Sequence, residues 1–254
     1  GALASACEEM GAVLIRSAHS ANIKERRDCS AAVFKANGEM VMQAEHIPVH
    51  LGSMPASVLA VAGKPHVPGI SWFLNDPYAG GTHLPDITVV TPAFLEGELI
   101  GFAANRAHHA DVGGSVPGSM PAGSRTLDEE GVVIAPRIID EESILEVVTL
   151  MRQPDQRRAD LRAQLAANRA GVARLEAMAA AKGKSGLMAA MDAVISYAEQ
   201  RTRAEIERIP DGTYRASDVL EGREGEINLE LEATVSGSEI RFDFTGTDGP
   251  DPGN

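Results

Sequence analysis

What the chain lacks narrows its chemistry first. It holds only two cysteines, Cys7 and Cys29, too few for a disulfide framework, and a reducing cytoplasm is the expected setting. Positive charge is scarce: 23 Lys and Arg stand against 36 Asp and Glu, for a net charge of −13. That balance argues against nucleic acid or an anionic membrane as partner. No apolar run approaches the length of a membrane span, and no signal peptide is expected. There is no internal repeat, no low-complexity tract and no nucleophile-elbow pattern. Lys182-Gly183-Lys184-Ser185 imitates the end of a phosphate loop, but Met178 stands where that motif needs glycine. Helix rather than strand precedes it, so no ATP site is expected in this chain. The 254 residues suffice for a real core, and the chain reads as a fragment or one section of a longer polypeptide.

What is present alternates between helical and strand periodicity. Leu3, Cys7, Met10, Leu14 and Ala18 recur at helical spacing and predict an amphipathic first helix. Asn37-Gly38 between apolar runs is a strong hairpin signal. A helix is expected from about Pro55 to Ala62, capped by Ser53 and stopped by Gly63, and a short strand over 70–74. Leu161, Leu165, Val172, Leu175 and Met178 mark a long helix that Gly183 to Gly186 should break, giving a helical hairpin. Strands follow over 214–219, 227–235 and 240–244. The class is α+β: mixed β-hairpins and sheets with an N-terminal helix and a long helical hairpin in the second half. The expected division is a site-bearing region 1–150, the helical hairpin 151–210 and a β segment 211–254.

The chemistry concentrates between Asn75 and Pro121, where His83, His108 and His109 stand with Asp76, Asp86 and Asp111. Residues 87–94 and 99–104 read as two strands around Glu96-Gly97, so His83 and Asp86 should meet the His108 cluster at the hairpin's open base. A two-residue turn sets Asp86 opposite Ala107, with His109 on its face. A three-residue loop sets it opposite Arg106, with His108 on its face. A bulge could alter either register. Two imidazoles and a carboxylate converging in this way can hold a divalent metal. Taken singly, each is an ordinary turn residue. Glu25 could add an oxygen ligand or act as a base if the first hairpin folds over this end. Gly80, Gly81, Gly113 and Gly114 allow backbone to approach a ligand, with Asn75, Asp76 and Arg106 as further binding candidates. His46, His50 and His66 read as structural.

The segments SANIKERRDCSAAVF, QAEHIPVHLGSMP, NDPYAGGTHLPDITVVTPAF and ANRAHHADVGGSVPGSMP, with the later DFTGT, resemble the hydantoinase B/oxoprolinase family. The resemblance runs along nearly the whole chain. It implies a hetero-oligomer in which ATP is bound by a hydantoinase A-type subunit, which phosphorylates a small cyclic amide. The B-type subunit then opens the ring with water. It also implies a divalent metal, Mn, Zn or Fe, on His83, Asp86 and His108, with Glu25 as the matching acid. His109 or Asp111 would then move the proton, and Arg106 with the glycine loops would hold the phosphorylated group. The alternatives are ATP-dependent carboxylation of a ketone and a non-catalytic scaffold subunit.

Overall fold

Leu3, Cys7, Met10 and Leu14 are buried along one side of helix α1 (Ala2–Ser17), as spacings of three and four residues dictate. A single turn, α2 (Ala21–Lys24), leads into strand β1 (Cys29–Phe34), and the Asn37-Gly38 turn returns the chain as β2 (Met40–Glu45). A 3₁₀ turn, Pro48–His50, precedes helix α3 (Met54–Ala62) and strand β3 (Ser71–Leu74). Then come β4 (Asp86–Leu95), β5 (Glu98–His108), the short helix α4 (Leu127–Glu130), β6 (Arg137–Ile139), α5 (Glu141–Val148) and α6 (Pro154–Ile206). Strands β7 (Gly212–Glu221), β8 (Glu226–Ser236) and β9 (Glu239–Asp243) complete the α+β order. The computed structural model describes residues 1–223 and 225–250. Among them no helix is long and apolar enough to cross a membrane.

The chain forms two compact units, residues 1–121 with 126–191 and residues 122–125 with 192–254. The first is built on a six-stranded antiparallel sheet in the order β2-β1-β5-β4-β3-β6. Every residue of β1 is buried, Ser30 being its one polar residue, so the strand shows no apolar–polar alternation. On one face α3 packs Met54, Val58 and Val61 against Phe34, Trp72 and Phe102. On the other, α1 and α6 bring Leu14, Ala163 and Ala167 onto Cys29 and Ala107. Leu161 and α5 join Ile87 and Val89 on that same side. In the second unit β7, β8 and β9 form an antiparallel sheet. Its register puts Leu220 and Ile227, Ala216 and Leu231, and Ala233 and Phe242 on one side.

The helical break expected after residue 182 is there, but it is a single residue. Gly183 alone leaves helical geometry (φ 75°, ψ 157°), and helical backbone resumes at once. A helical hairpin needs a loop of a few residues. The alanines and lysines on both sides favour helix too strongly to yield one, so α6 is a kinked run of 53 residues.

Helix α6 also carries amides into the core. Gln164 Nε2 donates to Ile87 O (2.8 Å) and Asn105 Oδ1 (2.9 Å), and Asn168 Nδ2 donates to Val89 O (2.9 Å). Asn105 Nδ2 answers with bonds to Gln164 O and Asn168 Oδ1, both 2.7 Å. His109 Nε2 lies 2.9 Å from Gln164 Oε1, which can only accept, so that nitrogen carries the proton. Burial pushes the His109 imidazole down to about 4.

Two outcomes follow for stability. Asn105→Leu strands the partner amides of α6, at about 1–3 kcal/mol for each buried polar group left unpaired, and urea unfolding should show it. Because His109 titrates lower folded than unfolded, the unfolded state takes up its proton first. Stability is therefore fully present above pH ~6.5 and is lost as pH falls toward ~4. His109→Gln should flatten that limb of the stability curve, and an unaltered limb would exclude the assignment.

Candidate metal centre

The β4–β5 hairpin turns through Glu96 and Gly97, both left-handed (φ 51° and 85°), as a two-residue turn of the I′ kind requires. Phe94 pairs with Leu99, but Ala93 pairs with Gly101, so β5 holds one extra residue at Ile100. This bulge moves every later pair by one, and Asp86 faces His108 directly. Neither register read from loop length alone occurs. His108 reaches Asp86 through a two-residue turn followed by a bulge.

Strand β1 completes the row. Cys29 pairs with Ala107 and Ser30 with Arg106, and Asp28 O accepts from His108 N at 3.0 Å. Asp28, His108 and Asp86 thus cross three strands at their ends, with Ser30, Arg106 and Thr88 forming the next row on the same face. His83, in the loop before β4, places Nε2 3.0 Å from Asp86 Oδ1. His108 Nδ1 lies 3.3 Å from that oxygen and 3.8 Å from Asp28 Oδ2. On the inner side, His50 Nε2 lies 3.5 Å from Asp86 Oδ2 and 3.8 Å from Asp28 Oδ1.

One ligand atom from each of His83, Asp86 and His108 falls within 4.8 Å of the others. Asp86 Oδ1, Asp28 Oδ1 and His50 Nε2 are buried, yet none has an aligned hydrogen-bond partner among the described residues. Burial would raise the Asp86 carboxyl, but the imidazoles of His108, His50 and His83 outweigh it and hold it well below the carboxylate range. The Asp86 carboxylate in turn raises the His83 imidazole above its ordinary value. A carboxylate oxygen left without an aligned donor between two imidazole nitrogens suits a divalent cation. The His83 side chain is 42% exposed, so the cluster opens to solvent on that side.

The other residues expected at the site lie elsewhere. Glu25 is exposed at the end of α2, and Asp28, three residues on, stands at the cluster in its place. His109 points to the opposite face of the sheet, into the amide network, away from Asp86. Asp111 organises its own loop: it accepts from Gly113 N (2.8 Å), Gly118 N (2.9 Å) and Arg152 Nη1 (3.0 Å). Arg106 is fully buried and its fork is in use. Nε donates to Thr88 Oγ1 (2.8 Å), Nη1 to Ser53 Oγ (2.6 Å) and Nη2 to Ser57 Oγ (2.7 Å). Ser53 does stand at the start of α3, but its hydroxyl serves Arg106 and His50 O rather than capping the helix.

Asn75 is buried and ties Leu84 O, Val132 O and Ile134 N together, while Asp76 caps the following turn at Tyr78 N. The glycines permit close approach, but to the chain's own backbone. A Cβ at Gly80 or Gly81 would strike Ala56 O or Asn75 O, and one at Gly113 or Gly114 would strike Leu150 O or Glu130 O. The amides of Gly81, Gly113 and Gly114 are already bonded to Asp76 O, Asp111 Oδ1 and Ser119 Oγ. Asn75, Asp76, Gly80 and Gly81 thus shape the segment before β4 that carries His83, whereas Gly113 and Gly114 belong to the loop after β5.

Two residues at the cluster have no signal in the sequence pattern, Asp28 and His50. The pairing of β1 with β5 joins residues 68 to 78 positions apart, and no local pattern announces it. His50 has only its spacing from His46 to speak for it. The 3₁₀ turn Pro48–His50 is what aims the ring inward.

The chain matches the hydantoinase B/oxoprolinase family over residues 1–254. It is 36% identical over 276 residues to 5-oxoprolinase 1 of Arabidopsis thaliana, covering 94% of this chain and 22% of that one. It is 35% identical over 263 residues to the 5-oxoprolinase of Saccharomyces cerevisiae (strain ATCC 204508 / S288c), covering 94% and 20%. The crystal structure of the ATP-dependent caprolactamase from Pseudomonas jessenii superposes with a TM-score of 0.87 at 29% identity, covering 95% of this chain and 44% of that one. The chain thus spans less than half the length of these relatives. A match along its entire length, with the fold to go with it, means that the chain belongs to the hydantoinase B/oxoprolinase family.

Proposed function

We propose that this chain is the metal-bearing part of an ATP-dependent cyclic amidohydrolase, opening the ring of a lactam or hydantoin that a partner has activated. The observation that carries the reading is the cluster of His83, Asp86 and His108 at the open base of a hairpin, in a member of this family. The cluster's ligands are His83 Nε2, Asp86 Oδ1 and His108 Nδ1, with Asp28 Oδ2 beside them in the role expected of Glu25. A divalent ion there supplies Lewis-acid polarisation of the carbon–oxygen group under attack. The protein's own part is to orient that ion from rigid strand ends and to leave the His83 side open for substrate and water.

ATP belongs to a hydantoinase A-type partner in this reading. Residues 182–185, the one phosphate-loop imitation, lie within α6 rather than between a strand and a helix. The name of the caprolactamase supports ATP dependence. A relative in Pseudomonas sp. (strain NS671), 28% identical, is named as one of the subunits of a D-/L-hydantoinase, which supports a hetero-oligomer. Cys7 and Cys29 are both buried and unpaired, which fits a reducing cytoplasm.

The test uses the chain purified with its A-type partner. Elemental analysis should find a divalent metal that is lost in His83→Ala and Asp86→Asn. ATP-dependent ring opening of 5-oxoproline or hydantoin should fall by about a hundredfold or more, since a Lewis acid supplies several kcal/mol of transition-state stabilisation. A metal-free protein with full activity in His83→Ala would refute the reading. Bicarbonate-dependent ATP turnover with acetone, and none with cyclic amides, would replace it with ketone carboxylation. Stripping the metal should also lower the melting temperature, because an ion that binds only the folded state stabilises it by mass action.

A further inference from the structure

We propose that His50 is a positioning residue of this centre, a clamp that holds the inner oxygens of both carboxylates so that their outer oxygens face the ion. The inference rests on the metal reading above and adds a residue to it. His50 is 1% exposed and sits behind the cluster, on the side away from His83. The two carboxylates divide their oxygens between the two sides. Asp86 Oδ1 faces His83 and His108, while Oδ2 faces His50 and accepts from Thr82 Oγ1 at 3.0 Å. Asp28 does the same, with Oδ2 toward His108 and Oδ1 toward His50. Among the described residues His50 Nε2 and Asp28 Oδ1 are buried without an aligned hydrogen bond, and Nε2, 3.5 Å from Asp86 Oδ2 and 3.8 Å from Asp28 Oδ1, is placed to compensate both carboxylates.

The ring itself is held from two directions. Its Nδ1 lies 3.0 Å from the buried Ser30 hydroxyl, next in the row to Arg106. When that hydroxyl donates to Nδ1, the proton sits on Nε2, pointed between Asp28 and Asp86. The backbone is held through Ser53, whose hydroxyl donates to His50 O (3.0 Å) and accepts from Arg106 Nη1 (2.6 Å). Arg106 therefore links the sheet beneath the ion to the segment that carries the clamp. The sense is the usual one for outer groups of a metal site, which orient the ligands and raise affinity without touching the ion.

The experiment measures Zn²⁺ affinity by chelator competition, and the imidazole count by X-ray absorption, in the chain purified with its partner. His50→Leu should weaken affinity about 10–100-fold with the imidazole count unchanged, and His50→Gln, which keeps an N–H near the Nε2 position, should recover most of the loss. Ser30→Ala, which frees Nδ1 to take the proton, should weaken affinity in the same direction, and it carries the test should His50→Leu fail to fold. An imidazole count that drops by one in His50→Leu would overturn the proposal by making His50 a ligand. Unchanged affinity in His50→Leu and Ser30→Ala, while His83→Ala loses the ion, would overturn it and leave the metal reading standing. If His83→Ala binds as tightly as the unaltered chain, both fall.

Discussion

A side chain in a sheet has two sides to choose from, and the choice is made by counting residues from the turn. In this protein the count is altered by one residue, the bulge at Ile100, and the consequence runs the length of the hairpin. With the bulge, Asp86 faces His108 and Thr88 faces Arg106, so these four polar residues of β4 and β5 share one surface. His109, Asn105 and Ile87 take the other, where α6 covers them. Without the bulge Asp86 would face Ala107, with His109 on its side, and His108 and Arg106 would turn under α6. The site and the core thus depend on the same register.

Each side of the sheet then solves its own problem of buried polarity. Beneath α6 the solution is neutral: carboxamides, backbone carbonyls and one uncharged imidazole satisfy one another. Beneath α3 the solution is ionic, with a guanidinium ringed by three hydroxyls beside two carboxylates and three imidazoles. Buried groups of this kind persist only where their geometry is held from several directions. Arg106 provides that by gathering β4, α3 and the His50 segment around one planar fork.

Much of this was legible from local pattern. The stripe of α1, the Asn37-Gly38 hairpin, the limits of α3 and the three late strands all follow from periodicity and turn chemistry. The convergence of His83, Asp86 and His108 was legible for the same reason, since a hairpin's ends meet whatever its register. Asp28 and His50 were hidden because their approach depends on β1 pairing with β5 and on a 3₁₀ turn. Arg106 and the paired glycines misled for a related reason. Their residue types signal anion binding when surfaces are open, and here hydroxyls and backbone from the chain itself fill those surfaces.

The members of the metal cluster differ in how firmly they are mounted. Asp86 and His108 are the end residues of paired strands, and Asp28 adjoins β1, whereas His83 rides on a loop and has 42% of its side chain in solvent. An ion held here would have three of its contacts on a floor of paired strand ends and one on a loop arm. Its exchange with solution would then be governed by how often that arm swings away, a local opening that costs far less than unfolding the sheet. Residence time of the ion is in this way partly separable from its equilibrium affinity: all the ligands, His83 included, set how tightly it is held, and the loop that carries His83 sets how quickly it comes and goes.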